Sequence, residues 1–127
     1  CEVGRMQTEF HLRTQRKEEI LDITERVRAF VAESGVDEGL CSVWVAHATA
    51  AVVVNENADP NVGLDVLDAL GRLVPEGGWR HDRIDDNAAA HIKASILGPS
   101  ETIPVRAGKL LLGTWQTILV VELDGPK

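Results

Sequence analysis

A chain of 127 residues, 44% hydrophobic and 26% charged, has the composition of an ordinary globular domain. It is long enough to bury about two-thirds of its unfolded surface without a disulfide or structural metal. Its formal charge of −7 argues against a duplex nucleic-acid surface, where clustered cations must meet the phosphates, but leaves open an anionic small molecule held in a local positive pocket.

The chain carries no apolar run near the ~20 residues of a membrane span and no charged-then-apolar leader. Cys1 at the terminus and Cys41 inside an apolar run fit a reduced setting better than a disulfide. The expectation is one cytoplasmic domain over residues 1–127 that meets neither membrane nor nucleic acid. Residues 1–5 read as disordered or as an appended start, since Met6 can serve as an alternative first residue.

Thr8–Gln15 alternates, with Phe10 and Leu12 on one side and Glu9, His11 and Arg13 on the other, the period of a half-buried strand with His11 solvated. Glu18–Ile23 reads as a second strand paired with it. Thr24 is placed to cap a helix with Val27, Phe30 and Val31 inward and Arg26, Arg28 and Glu33 on a solvated face; Gly35 stops it. Leu40–Ala46 and Ala50–Asn55 are nearly continuous in apolar residues, as strands covered on both faces are. Asp59 and Pro60 supply the cap and first position of a second helix, with Val62, Val66, Leu67, Leu70 and Leu73 or Val74 inward, closed by Pro75-Glu76-Gly77-Gly78.

A third helix begins at Asp85, Asp86 or Asn87, any of which can cap it, and runs through Ile92 and Ile96 to Gly98-Pro99. Ser100–Arg106 is a strand that Pro104 assigns to an edge or a bulge. Ala107-Gly108 is a tight turn, and Leu110–Leu112 and Thr114–Leu123 are strands with Gly113 as a bulge. About seven or eight strands and three helices, without βαβ alternation, predict an α+β domain built on a mostly antiparallel sheet or open barrel.

Three places hold polar residues that strand ends and helix starts do not require: His47 with Thr49; Asn55-Glu56-Asn57 with Asp59; and the run from His81 to His91. Such clusters at the ends of buried strands are costly unless paired or wet. If they converge, they form a pocket suited to metal binding or to general acid–base catalysis. No H-x-x-x-H or C-x-x-C spacing is present, so a metal depends on convergence in space. The plainer alternatives are a strand-end histidine at 47, a turn carboxylate at 56 and a cap at 59. Asn87 and His91 lie four apart on one helical face, and His81, in the preceding loop, can fold back onto it.

Gly113-Thr114-Trp115-Gln116 offers either a core-filling tryptophan or an aromatic wall for a flat ligand, with Gln116 as hydrogen-bond partner. Arg80, Arg83 and Lys93 flank the third polar run and are placed to bind phosphate, although no glycine-rich phosphate loop is present. Cys41 reads as inert.

Glu19-Ile20-Leu21-Asp22-Ile23-Thr24, His47-Ala48-Thr49-Ala50, Asn55-Glu56-Asn57-Ala58-Asp59, Asp86-Asn87-Ala88-Ala89-Ala90-His91, Gly113-Thr114-Trp115-Gln116 and Asp124-Gly125-Pro126 together resemble, in order, the YjbQ family, which carries the label of secondary thiamine-phosphate synthase. The runs span nearly all of the chain after Met6; one departure is Ala48, where many members have a second threonine. The resemblance implies a compact α+β fold, a homotrimer with pockets near subunit boundaries, and a weak thiamine-phosphate synthase activity on a small phosphorylated substrate. By motif, it carries over a candidate site of His47, Asn55, Glu56, His81, Asp86, Asn87, His91, Trp115 and Gln116. Read as an enzyme, the chain is expected to use His47, Glu56, Asp86 and His91 as catalytic residues and Thr49, Asn55, Asn87, Trp115 and Gln116 as substrate contacts, with His47, His81 and His91 binding a divalent metal, zinc or magnesium, or donating to phosphate. The same pocket suits a non-catalytic homotrimer that binds a metabolite or metal.

Overall fold

A computed structural model describes residues 6–127, so the expectation for residues 1–5 lies outside the described residues. The elements run β1 (Glu19–Asp22), α1 (Thr24–Ser34), β2 (Gly39–Trp44), β3 (Ala50–Asn55), α2 (Pro60–Leu73), a 3₁₀ turn (Arg80–Arg83), α3 (Ala88–Leu97), β4 (Ser100–Arg106), β5 (Lys109–Leu110) and β6 (Thr117–Glu122). The α+β class holds. The described residues form six strands rather than seven or eight, in two open antiparallel sheets ordered β1-β6-β3 and β2-β4-β5.

The missing strand is Thr8–Gln15. Alternation marks which side chains face the protein, but a strand also needs a partner edge. β1 pairs with β6 instead, and the early segment is held by single bonds such as Thr14 N to the Lys127 carbonyl at 2.8 Å. β6 also starts later than expected. Gln116 Oε1 accepts from Gly113 N at 2.8 Å and Gln116 N donates to the Gly113 carbonyl, so Gly113–Gln116 is a side-chain-closed turn and not a bulge.

β6 is the central strand of its sheet, and its side chains from Ile118 to Glu122 are buried. One face of that sheet presents Val52, Ile118 and Val120 to α1 (Val27, Val31) and to Cys41, Ile103 and Val105 of the second sheet. The other face meets α3, where Ala51 of β3 lies against Ala90 and Ala94. Three small side chains at this contact let the helix backbone come close. The second sheet is less covered than its apolar sequence suggested: in β2 only Cys41 is buried, while Leu40 and Trp44 are 75% and 66% exposed. Burial disfavours the charged thiolate and raises the Cys41 thiol above its ordinary value.

Gly35 ends α1 at φ +68, and Asp59 caps α2 by accepting from Asn61 N, both as expected. Val74, not Leu73, faces inward at the end of α2. Thr24 is the first residue of α1 rather than its cap. Its hydroxyl donates to Asp22 Oδ1 at 2.6 Å and accepts from the buried Ile118 N at 2.9 Å, tying the helix to β6. Burial pushes the Asp22 carboxyl up, but bonds from Thr24 Oγ1, Thr24 N and Asn57, with the charge of Arg28, hold it below the usual range. Pro104 lies in the middle strand and not at an edge; its carbonyl accepts from Leu111 N just where the two-residue β5 ladder stops, so the missing donor breaks no pairing.

Candidate functional site

The connection from α2 to α3 builds a hollow against the start of α3. Gly77 and Gly78 take φ of +85 and +83, the left-handed region that side chains rarely adopt, and swing Trp79 and the 3₁₀ turn back along the helix. Trp79 Nε1 donates to the Pro75 carbonyl at 2.9 Å, which fixes the indole. Asp82 accepts from Trp79 N through Oδ2 at 3.1 Å and from Ala88 N through Oδ1 at 3.0 Å. Asp82 therefore serves the first turn of α3 from six residues upstream. None of the three expected caps does so: Asn87 holds the cap position without a side-chain bond to the helix, and Asp86 is exposed at φ +54.

His81 folds back onto the helix as its spacing allowed. Its ring meets that of His91 edge to face, with centroids 4.7 Å apart and planes at 84°. Trp79, Arg80, His81, Ala88, His91 and Ile92 line a hollow of about 470 Å³. His81 Nε2 is sealed from solvent with no hydrogen-bond partner among the described residues; Asp85 Oδ2 lies 3.7 Å away, too far for a bond. Asn87, one turn before His91, donates Nδ2 to Asp124 Oδ2 at 2.8 Å, and its Oδ1 is likewise buried without a described partner.

A second polar cluster adjoins this one. Thr49 is buried, its hydroxyl accepts from Lys127 Nζ at 3.0 Å, and that ammonium lies 3.6 Å from Asp124. The run Thr49, Lys127, Asp124, Asn87 thus links the start of β3 to the start of α3. His47 is exposed beside Thr49 and lines, with Thr14, Glu122 and Lys127, one end of a cleft of about 1390 Å³ between residues 6–12, α1 and β2.

Asn55 and Glu56 stand at the opposite end of β3. Ala50 pairs with Glu122 and Asn55 with Thr117, so a six-residue strand, at about 3.3 Å per residue, separates them from Thr49. Asn55 Oδ1 accepts from Glu56 N, and Asn57 donates to Asp22. Trp115 is 64% exposed at the tip of its turn rather than filling core, and the Gln116 side-chain Oε1 accepts from Gly113 N. Within one chain, two of the three polar clusters are linked and the third is held apart. Among the described residues, no group of three or more His, Cys, Asp or Glu side chains is arranged to hold a metal ion; the histidine set stops at the His81–His91 pair.

Lys93 does not reach the hollow. It is 3% exposed and pairs with Glu18 Oε2 at 3.1 Å. Arg80 remains as the cation on the wall.

The family model for UPF0047 protein YjbQ-like matches residues 8–127. The chain belongs to the YjbQ-like UPF0047 family. A UPF0047 protein of Archaeoglobus fulgidus is 46% identical over 120 residues, 94% of this chain and 92% of that protein. Another, from Methanocaldococcus jannaschii, is 41% identical over 125 residues, 98% of this chain and 90% of its own. The crystal structure of a YbjQ-like protein of unknown function from Sulfolobus solfataricus P2 superposes with a TM-score of 0.89 at 45% identity, covering 91% of this chain and 84% of that one.

In this UPF0047 chain, the sequence alone assigned no role to Asp82 within the His81–His91 run or to Asp124 within its terminal motif, and drew no attention to Trp79 or Glu122. For Trp79 a signal was present: two glycines directly before an aromatic, an arginine and a histidine. Glu122 carried none, because a carboxylate at the end of a strand looks solvated. It is buried, accepting from Thr14 Oγ1 and from the backbone N–H groups of Leu123 and Asp124. Among the described residues, no helix is long and apolar enough to cross a membrane.

Proposed function

We propose that the hollow beside α3 binds a small phosphorylated compound and that His81 and His91 act on its phosphate end. The observation that carries this reading is the edge-to-face histidine pair in a hollow whose wall also bears Arg80 and Trp79. Arg80 supplies fixed positive charge and a planar fork suited to phosphate oxygens. His81 and His91 both line the hollow and so stand within reach of a ligand there. The Trp79 indole gives a flat wall for a ring. In a transferase of the kind the family label names, pyrophosphate leaves as a new carbon–nitrogen bond forms, and donors fixed in advance around the departing oxygens lower that barrier. Asn87, held by Asp124, directly precedes Ala88 of the hollow's lining. Two imidazoles alone do not complete a metal's ligand set, so the reading rests on the chain's own donors.

The test is turnover by the purified protein of a pyrimidine-methyl pyrophosphate with a thiazole phosphate. The His81→Ala and His91→Ala variants should each lose at least tenfold, as expected when a positioned acid or base is removed. Undiminished turnover in both moves the chemistry elsewhere.

A second reading, a homotrimer that binds a metabolite or metal without turnover, is favoured by the uncovered apolar side chains Leu40, Trp44 and Trp115. Burying such side chains between copies would stabilise an assembly. Sedimentation equilibrium reads the assembly. Phosphate-dependent thermal stabilisation without turnover would favour this reading over the first.

A further inference from the structure

We infer that Asp82 positions the two imidazoles by clamping the opposite walls of the hollow at a fixed separation; this rests on the reading of the hollow as a ligand site. Each carboxylate oxygen of Asp82 is engaged by a backbone N–H of a different wall. Oδ2 takes the Trp79 N–H, where the first wall begins, and Oδ1 takes the Ala88 N–H, the first residue of α3. His81 is the chain neighbour of Asp82 on the first wall. His91 stands three residues after Ala88 on the second, one turn along a helix that rises about 1.5 Å per residue.

The backbone hydrogen bonds of the turn, Asp82 N to the Trp79 carbonyl and Ile84 N and Asp85 N to the His81 carbonyl, stay within the first wall. The Asp82–Ala88 bond crosses between the walls. Asp82 is not among the residues that line the hollow, so its part is geometric.

Asp59 supplies the comparison inside the same molecule. It too accepts from a backbone N–H at a helix start, but from Asn61, two residues on. Losing that cap loosens α2 alone. Losing Asp82 frees α3 and the Trp79–His81 wall from each other. Asparagine at 82 keeps the size but has one accepting oxygen, so one of the two walls goes unheld.

The experiment compares Asp82→Asn with Asp59→Asn, a cap lost away from the hollow. Nuclear Overhauser contacts between the His81 and His91 ring protons report the spacing, and titration with inorganic phosphate reports the site. The ring contact should be present in the parent chain and in Asp59→Asn and lost in Asp82→Asn. Phosphate affinity should fall in Asp82→Asn alone, by a factor on the order of ten to a hundred, the scale of a misplaced positioning group.

A ring contact that survives Asp82→Asn, or that Asp59→Asn removes equally, overturns the inference. If Asp82→Asn does not fold, Asp82→Glu serves: it keeps both oxygens on a stem one carbon longer, and should shift both rings and weaken phosphate binding. Unchanged rings and unchanged affinity in that variant overturn the inference as well. A parent chain that shows the ring contact but binds no phosphate removes the ligand reading, and the clamp is then judged on the ring contact alone.

Discussion

Asn87 turns its amide away from the helix it begins and donates to Asp124 Oδ2 at 2.8 Å, 37 residues away in the chain. The bond joins the start of α3 to the segment after β6, and through Lys127 it continues to Thr49. Asp124→Ala should therefore cost about 1.5–3 kcal/mol, the range for a hydrogen bond to a charged group. The loss should appear in urea denaturation, and Asn87→Ala should remove most of the same energy. If the double variant is destabilised by the full sum of the two, the residues do not act as a pair.

Thr24→Val keeps shape and removes the hydroxyl that accepts from the buried Ile118 N. An unsatisfied buried N–H costs about 1–3 kcal/mol, so the denaturation midpoint should fall while the slope stays the same. Hydrogen exchange at the Ile118 amide should speed up more than at Val121.

Asp22 sets a pH dependence whose sign follows from its lowered carboxyl. A group with a folded value below the ordinary 3.8 favours the folded state when ionised. Its contribution is complete above about pH 4 and disappears as pH falls through the lower folded value. Denaturation midpoints measured from pH 6 down to pH 2.5 should decline over that acid window, and less steeply in Asp22→Asn. Equal slopes in the two proteins would exclude Asp22 as a source.

Ala107 sits at φ +52 and Gly108 at φ +72 in the two-residue turn between β4 and β5. Alanine is strained there, whereas asparagine followed by glycine is favoured in such turns. Ala107→Asn should stabilise by about 1 kcal/mol, a fraction of the 1–2 kcal/mol cost of a left-handed residue. That appears as a Tm rise of a few degrees.

Local signals in the sequence were enough to place α1, α2 and the strands β2 and β3. Gly35, Asp59 and Pro60 act within one turn of their own backbone, and an apolar run such as Ala50–Asn55 marks a strand without knowledge of its partner. The ordered motifs were likewise enough to recognise the family. What the neighbours of a segment decide was not legible. Thr8–Gln15 has the alternation of a strand and pairs with none. Gln116 closes a turn that glycine alone suggested was a bulge, and Asp82 takes over the capping that three nearer residues could have done.

The candidate site divides in the same way. The four-residue spacing of Asn87 and His91 lies in the helix period, so the sequence by itself determined that they stand one turn apart, with His91 N donating to the Asn87 carbonyl. The return of His81 onto His91, the burial of Lys93 against Glu18, and the separation of Asn55 and Glu56 from Thr49 by the length of β3 belong to the tertiary structure. The physical reason is one of range. Helix periodicity and capping act over a few residues, whereas the distance between side chains remote in the chain depends on strand register and on which backbone groups a carboxylate such as Asp82 ties together.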